Sequence, residues 1–129
     1  MQNKITMPLF LLRLSIFLVM LMWTLDKFIA PQHAAAVYEK FYHLGGLGSS
    51  LMWLIAVAEL ILILLFVVGR FKNITYLAVL LFHAVSTLSS YFKYLDPFNG
   101  NLVFFAAWPM LAGCYLLYIM RDEDTRFNL

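Results

Sequence analysis

Charge is what this sequence has least of. Only 12% of its 129 residues are charged and 64% are hydrophobic, whereas a soluble domain carries about 25% charged and 45 to 50% apolar residues. The shortfall leaves too few ions to wet a globular surface and excludes a soluble enzyme. Cysteine is nearly absent: Cys114 stands alone, which excludes an intramolecular disulfide framework and a self-contained dithiol redox centre. Nine Lys and Arg against seven Asp and Glu give a net charge of +2 without a basic cluster, so no surface follows a phosphate backbone and nucleic acid is not the expected partner.

What the chain has instead is long apolar runs. Four of them, Ile5–Leu25, Leu51–Val68, Ile74–Phe92 and Leu102–Met120, contain 21, 18, 19 and 19 residues. At about 1.5 Å per residue each covers roughly 27 to 32 Å, the thickness of a bilayer core. The period-2 alternation of a membrane strand is missing, since Leu60 to Val68 is apolar throughout. The sequence therefore predicts an all-α polytopic membrane protein, a single domain over 1–129, built as a four-helix transmembrane bundle (about 5–25, 51–68, 74–92 and 102–120). Its solvent is the lipid bilayer. Lys4 and the Ala34-Ala35-Ala36 run resemble parts of a cleaved signal, but a 21-residue run containing Arg13 exceeds the roughly 7 to 15 apolar residues of such a signal. We read it as a retained helix.

The connections of 25, 5 and 9 residues predict a tight hairpin through Gly69, Arg70, Phe71, Lys72 and Asn73. Lys4, Arg70, Lys72, Arg121 and Arg126 fall at one face and Lys27, Lys40 and Lys93 at the other, which places both termini in the cytoplasm. In the long first connection, Pro31 suits a helix start, Val37, Phe41 and Leu44 share one helical face, and Gly45 and Gly46 end the pattern. This predicts a short amphipathic helix on the outer surface, either a cap on the bundle or a lid over an opening between helices.

Three runs each carry one titratable interruption, Arg13, Glu59 and His83. Counted from the cytoplasmic helix ends, all three fall at roughly 12 to 14 Å depth. Embedded charges cost at least about 2.5 kcal/mol each and seek partners inside the bundle, so Arg13 and Glu59 are expected to pair, with His83 in reach. Ser86, Thr87 and Ser90 extend a hydroxyl stripe from His83; such hydroxyls either line a site or bond back to their own helix. Pro109 frees the Phe105 carbonyl, with Ala106 and Gly113 on its face. The layer is thus either structural glue, or a quinone-type headgroup site in which Arg13, His83 and the hydroxyls donate, or a proton-loading site at Glu59 and His83. The last would require a homo-oligomer to build a pore. No metal ligand set is evident, because Glu59 and His83 alone are too few. The acidic C-terminal residues Asp122, Glu123 and Asp124 read as a solvated tail.

Leu12-Arg13-Leu14-Ser15, Asp26-Lys27-Phe28, Ala58-Glu59-Leu60 and Gly69-Arg70, in this order and spacing over about Arg13 to His83, resemble the DoxX and DoxX-like family of small four-helix membrane proteins. The fourth helix matches in character. The family's glycines near its arginine and before its lysine are replaced here by Ser15, Ile16, Phe17 and Thr24. The resemblance implies a bacterial or archaeal cytoplasmic membrane, an accessory role beside redox or oxidative-stress complexes, and core positions at Arg13, Glu59 and Lys27, with Asp26 in the helix-end motif.

Overall fold

The computed structural model describes residues 2–42 and 49–127. The described residues form helices and turns, without strands: α1 (Gln2–Ile29), α2 (Pro31–Tyr42), α3 (Ser49–Val67), α4 (Lys72–Ser89), the single turn α5 (Tyr91–Tyr94), a 3₁₀ helix (Leu102–Ala106) and α6 (Ala107–Ile119). Three helical stretches, Lys4–Ile29, Ser50–Val67 and Leu102–Ile119, are long and apolar enough to cross a membrane. α4 falls short by composition because Lys72, Asn73, His83 and five hydroxyl residues dilute it.

α1 packs chiefly on α3 and α4 chiefly on α6, while α3 meets α4 and α1 meets α6, closing a ring of four long helices. The inner stripe of α1 is Thr6, Leu9, Arg13, Ile16, Met20, Thr24 and Lys27, all buried, at steps of three or four that keep one face of a helix inward. α3 answers with Met52, Ala56, Ile63 and Phe66, α4 with Tyr76, Val79, His83 and Thr87, and α6 with Cys114 and Leu117. The outward faces are also apolar: Leu11, Leu18, Leu54, Ile61, Leu81, Leu88 and Leu116 are all exposed. Interior and exterior therefore differ mainly in where the polar residues lie.

The α3–α4 hairpin ends as its sequence predicts. Arg70 N–H donates to Leu65 O at 2.9 Å and Gly69 N–H to Phe66 O at 3.1 Å, with Gly69 at φ 76°. These are the paired bonds of a Schellman cap, which needs a left-handed residue. Phe71 is also left-handed, at φ 53°, and its carbonyl accepts from Ile74 N–H, Thr75 N–H and the Thr75 hydroxyl.

The last expected span is not one uniform helix. Pro109 cannot donate to the carbonyl of Phe105 and its ring crowds that carbonyl, and the segment before it tightens into the 3₁₀ helix. Pro109 then sits in the first turn of α6, where its missing N–H leaves no gap. The third expected span divides as well, α4 ending at Ser89 before α5. α2 begins at Pro31 and packs on α1, α3 and α4, with Phe41 against Phe92 and Phe104 at centroid separations of 5.3 and 6.1 Å. Leu44, Gly45 and Gly46, the expected end of its pattern, lie outside the described residues.

Candidate functional site

The three titratable residues expected in one layer are divided between two levels, and Arg13 does not pair with Glu59. Arg13, fully buried, donates from Nη1 to Asp124 Oδ1 at 2.8 Å and to the Tyr76 hydroxyl at 3.4 Å. Its Nη2 donates to the carbonyls of Arg126 at 2.7 Å and Phe127 at 3.5 Å. The Tyr76 hydroxyl donates to Asp124 Oδ2. Lys72 Nζ donates to the carbonyls of Arg121, at 3.1 Å, and Asp124. Burial lowers the Lys72 pKa from its ordinary value of 10.5, opposed by the Asp124 carboxylate and reinforced by the Arg13 guanidinium. Arg126 reaches the Thr6 hydroxyl, and Phe127 packs against Phe10 in a tilted contact with centroids 4.6 Å apart. Residues 120–127 therefore fold back along the first turns of α1.

The expected solvated tail is thus corrected at Asp124, which is fully buried; Asp122 remains exposed. The depth count failed because it assumed that every helix starts in one plane. α1 starts 11 residues before Arg13, about 16 Å along the axis, whereas Tyr76 is only four residues into α4. Arg13 accordingly lies level with helix ends.

Glu59 belongs to a second cluster. Lys27 Nζ meets its Oε2 at 3.1 Å, and the Thr24 hydroxyl approaches the same oxygen at 2.6 Å. The Lys27 and Glu59 side chains are only 7% and 10% exposed, so this is a largely desolvated ion pair. Lys27 also lies over the Tyr38 ring of α2 at 5.5 Å. Thr24, in the neighbourhood where the resembling family carries glycine, here completes the carboxylate's coordination. Arg13 and Lys27 are 14 residues apart on α1, about 21 Å. Asp26 points elsewhere, its carboxylate 2.8 Å from His33 Nδ1 on the outside.

His83, 1% exposed, lies beside Trp23, ring centroids 5.7 Å apart, one residue along α1 from the Thr24 contact. It shares the upper level with Glu59, while Tyr76, seven residues earlier on α4, marks the Arg13 level about 10 Å away. Donors from Arg13 and His83 therefore do not converge on one carbonyl. Nδ1 bonds the Val79 carbonyl at 3.0 Å, and Nε2 is buried without a hydrogen-bond partner among the described residues. In the stripe beyond it, Ser90 bonds back to its own helix, Oγ donating to Ser86 O at 2.9 Å, while Ser86 is half-buried and Thr87 is buried. On α6, Gly113 lets Leu12 of α1 approach, since an added Cβ would lie 3.0 Å from Leu12 Cδ1; Ala106 and Pro109 face outward.

Among the described residues no three His, Cys, Asp or Glu side chains converge in a metal-holding group. A groove of about 350 Å³ between α2 and α4, lined by Phe41, Val85, Leu88, Ser89 and Tyr91, lies on the outward face of α4, away from His83. Sequence reasoning missed Asp124, although a signal existed. Arg13 and Lys27 both lie within or against apolar helix while Glu59 is the one carboxylate inside the apolar runs, so a second acid had to come from outside them. No protein-family model, curated protein or solved structure matches the chain.

Proposed function

We propose that the chain is a DoxX-like integral membrane protein that crosses a bacterial or archaeal cytoplasmic membrane four times, both termini inside, as an accessory component of a redox or oxidative-stress system. The observation that carries the reading is the Lys27–Glu59 pair. Two short motifs quoted for the resemblance, 32 positions apart, meet in one buried contact at 3.1 Å. The membrane part is supported by three long apolar helices and by α4, whose Thr75, Tyr76, His83 and Thr87 are buried while Leu81, Phe82, Val85 and Leu88 face out. The amphipathic α2 then caps the outer end. Orientation follows the five-to-three basic count. The redox association rests on the resemblance.

Within this role the buried charges act as clamps, because each cation has a carboxylate of the same chain beside it. Purification in native lipid followed by mass spectrometry of co-purifying proteins tests the reading. Membrane redox proteins retained at constant stoichiometry are the expected result. Recovery of the chain alone would favour a ligand-free scaffold, and recovery as a homo-oligomer with proton-coupled flux in vesicles would favour a transporter.

A further inference from the structure

His83 Nδ1 lies 3.0 Å from a backbone carbonyl, and a carbonyl only accepts. The ring proton of neutral His83 is therefore on Nδ1, and Nε2 presents a lone pair. That lone pair is buried without a partner among the described residues. Buried acceptors are rarely left unpaired, so this one calls for a hydrogen-bond donor. A ligand offering only carbonyls has nothing to give it.

Two donors on the facing stretch of α1 are already engaged. Thr24 and Lys27 already serve Glu59. Trp23 flanks the imidazole with its ring tilted by 33°, and Trp23 is 43% exposed on the outside of the bundle. Trp23 therefore borders both the imidazole and the surroundings, and a ligand reaches the buried Nε2 by displacing its indole. Given the membrane reading above, on which this inference rests, those surroundings are lipid.

We infer that His83 and Trp23 form a lateral binding site for a lipid-phase phenolic compound, a flat ring that lies against Trp23 and donates its hydroxyl hydrogen to His83 Nε2. The ring hydroxyl supplies the missing donor, the aromatic face suits Trp23, and the apolar remainder stays in lipid. Specificity comes from the hydrogen bond, since a site with a buried acceptor discriminates against an isostere that lacks the donor.

The test uses the full chain in phospholipid nanodiscs, with 4-hexylphenol and its methyl ether 4-hexylanisole as probes, binding read from tryptophan fluorescence in a Trp53→Phe/Trp108→Phe background. The phenol is expected to bind about tenfold more tightly than the ether, the worth of one buried hydrogen bond, and His83→Phe is expected to erase that preference. Equal affinity of the two probes for unsubstituted His83 overturns the site without any variant needing to fold. A preference that survives in folded His83→Phe protein overturns it too, as does a ¹⁵N spectrum showing Nε2 protonated in the free protein. Resistance to carbonate extraction from vesicles is measured in parallel. Its loss refutes the membrane reading, whereas retained insertion without phenol preference refutes only the binding site.

Discussion

Replacing Arg13 by Met should destabilise the folded protein by about 3 to 5 kcal/mol, the cost of stranding one partner of a buried ion pair. The structure accounts for the size. Asp124, itself fully buried, would retain the Tyr76 hydroxyl but lose the guanidinium beside its carboxylate, and the carbonyls of Arg126 and Phe127 would lose the Nη2 donor. Asp124→Asn keeps the side-chain volume and leaves Arg13 its carbonyl contacts, so it should cost less, about 1.5 to 3 kcal/mol, the value of a charge-assisted hydrogen bond.

Reversible unfolding of the purified protein in mixed micelles, followed by circular dichroism, gives the double-mutant cycle. Neutral interhelical hydrogen bonds in membranes couple by about 0.6 kcal/mol on average. An Arg13–Asp124 coupling above about 1.5 kcal/mol would identify a desolvated charge pair. The parallel cycle of Arg13→Met with Glu59→Gln should be additive within about 0.5 kcal/mol, as expected for distant sites. Coupling of Arg13 to Glu59 and none to Asp124 would refute the two-cluster arrangement.

Three further outcomes follow from particular contacts. Lys27→Met strands Glu59 and should cost about 3 kcal/mol or more, with Lys27→Met/Glu59→Leu recovering most of the loss, both read as micellar unfolding free energies. Gly113→Ala should change stability by less than about 1 kcal/mol, because the helix-propensity gain offsets pressure on the movable end of Leu12, whereas Gly113→Leu should cost about 1 to 3 kcal/mol by forcing α6 off α1. Since Lys72 titrates below 10.5 in the folded protein, the unfolded chain binds more protons between the two pKa values. Stability should therefore rise with pH through that window, and Lys72→Met should flatten the rise in alkaline unfolding curves.

The helices were legible because apolar runs of this length have few alternatives, and the α3–α4 turn because Gly69 is the residue a left-handed cap requires. α2 was legible from Pro31 and its apolar spacing. What escaped the sequence was which polar group meets which. Outward-facing and core-facing residues are equally apolar on α3, so its hydrophobic pattern does not fix its rotation. On α1 the inward face is instead reported by the polar residues themselves: Thr6, Arg13, Thr24 and Lys27 share one stripe. Read that way, Lys27 is an interior residue rather than one cation in an outer loop. The fold-back of residues 120–127 was hidden for another reason. Asp122, Glu123 and Asp124 are chemically alike, and only the turn after Met120, in which Glu123 N–H and Asp124 N–H both donate to the Met120 carbonyl, selects Asp124 to face Arg13.

The two clusters divide the work of holding the ring. α1 with α3 and α4 with α6 are its most extensive pairings, and Lys27–Glu59 locks α1 to α3 within one of them. Arg13, through Tyr76 and Asp124, ties α1 to α4 and to the segment leaving α6, and so joins one pairing to the other. That polar joint lies at the Arg13 level. About 10 to 15 Å further along the axes, α1 and α4 meet through Trp23 and His83, a ring contact without a hydrogen bond between the two side chains. An aromatic contact contributes about 0.5 to 1.5 kcal/mol beyond area burial, less than the ionic joint below it. α1 and α4 face each other across the ring rather than packing side by side, so the link between them is ionic at the Arg13 level and aromatic at the His83 level, carried in both cases by side chains that reach across the interior.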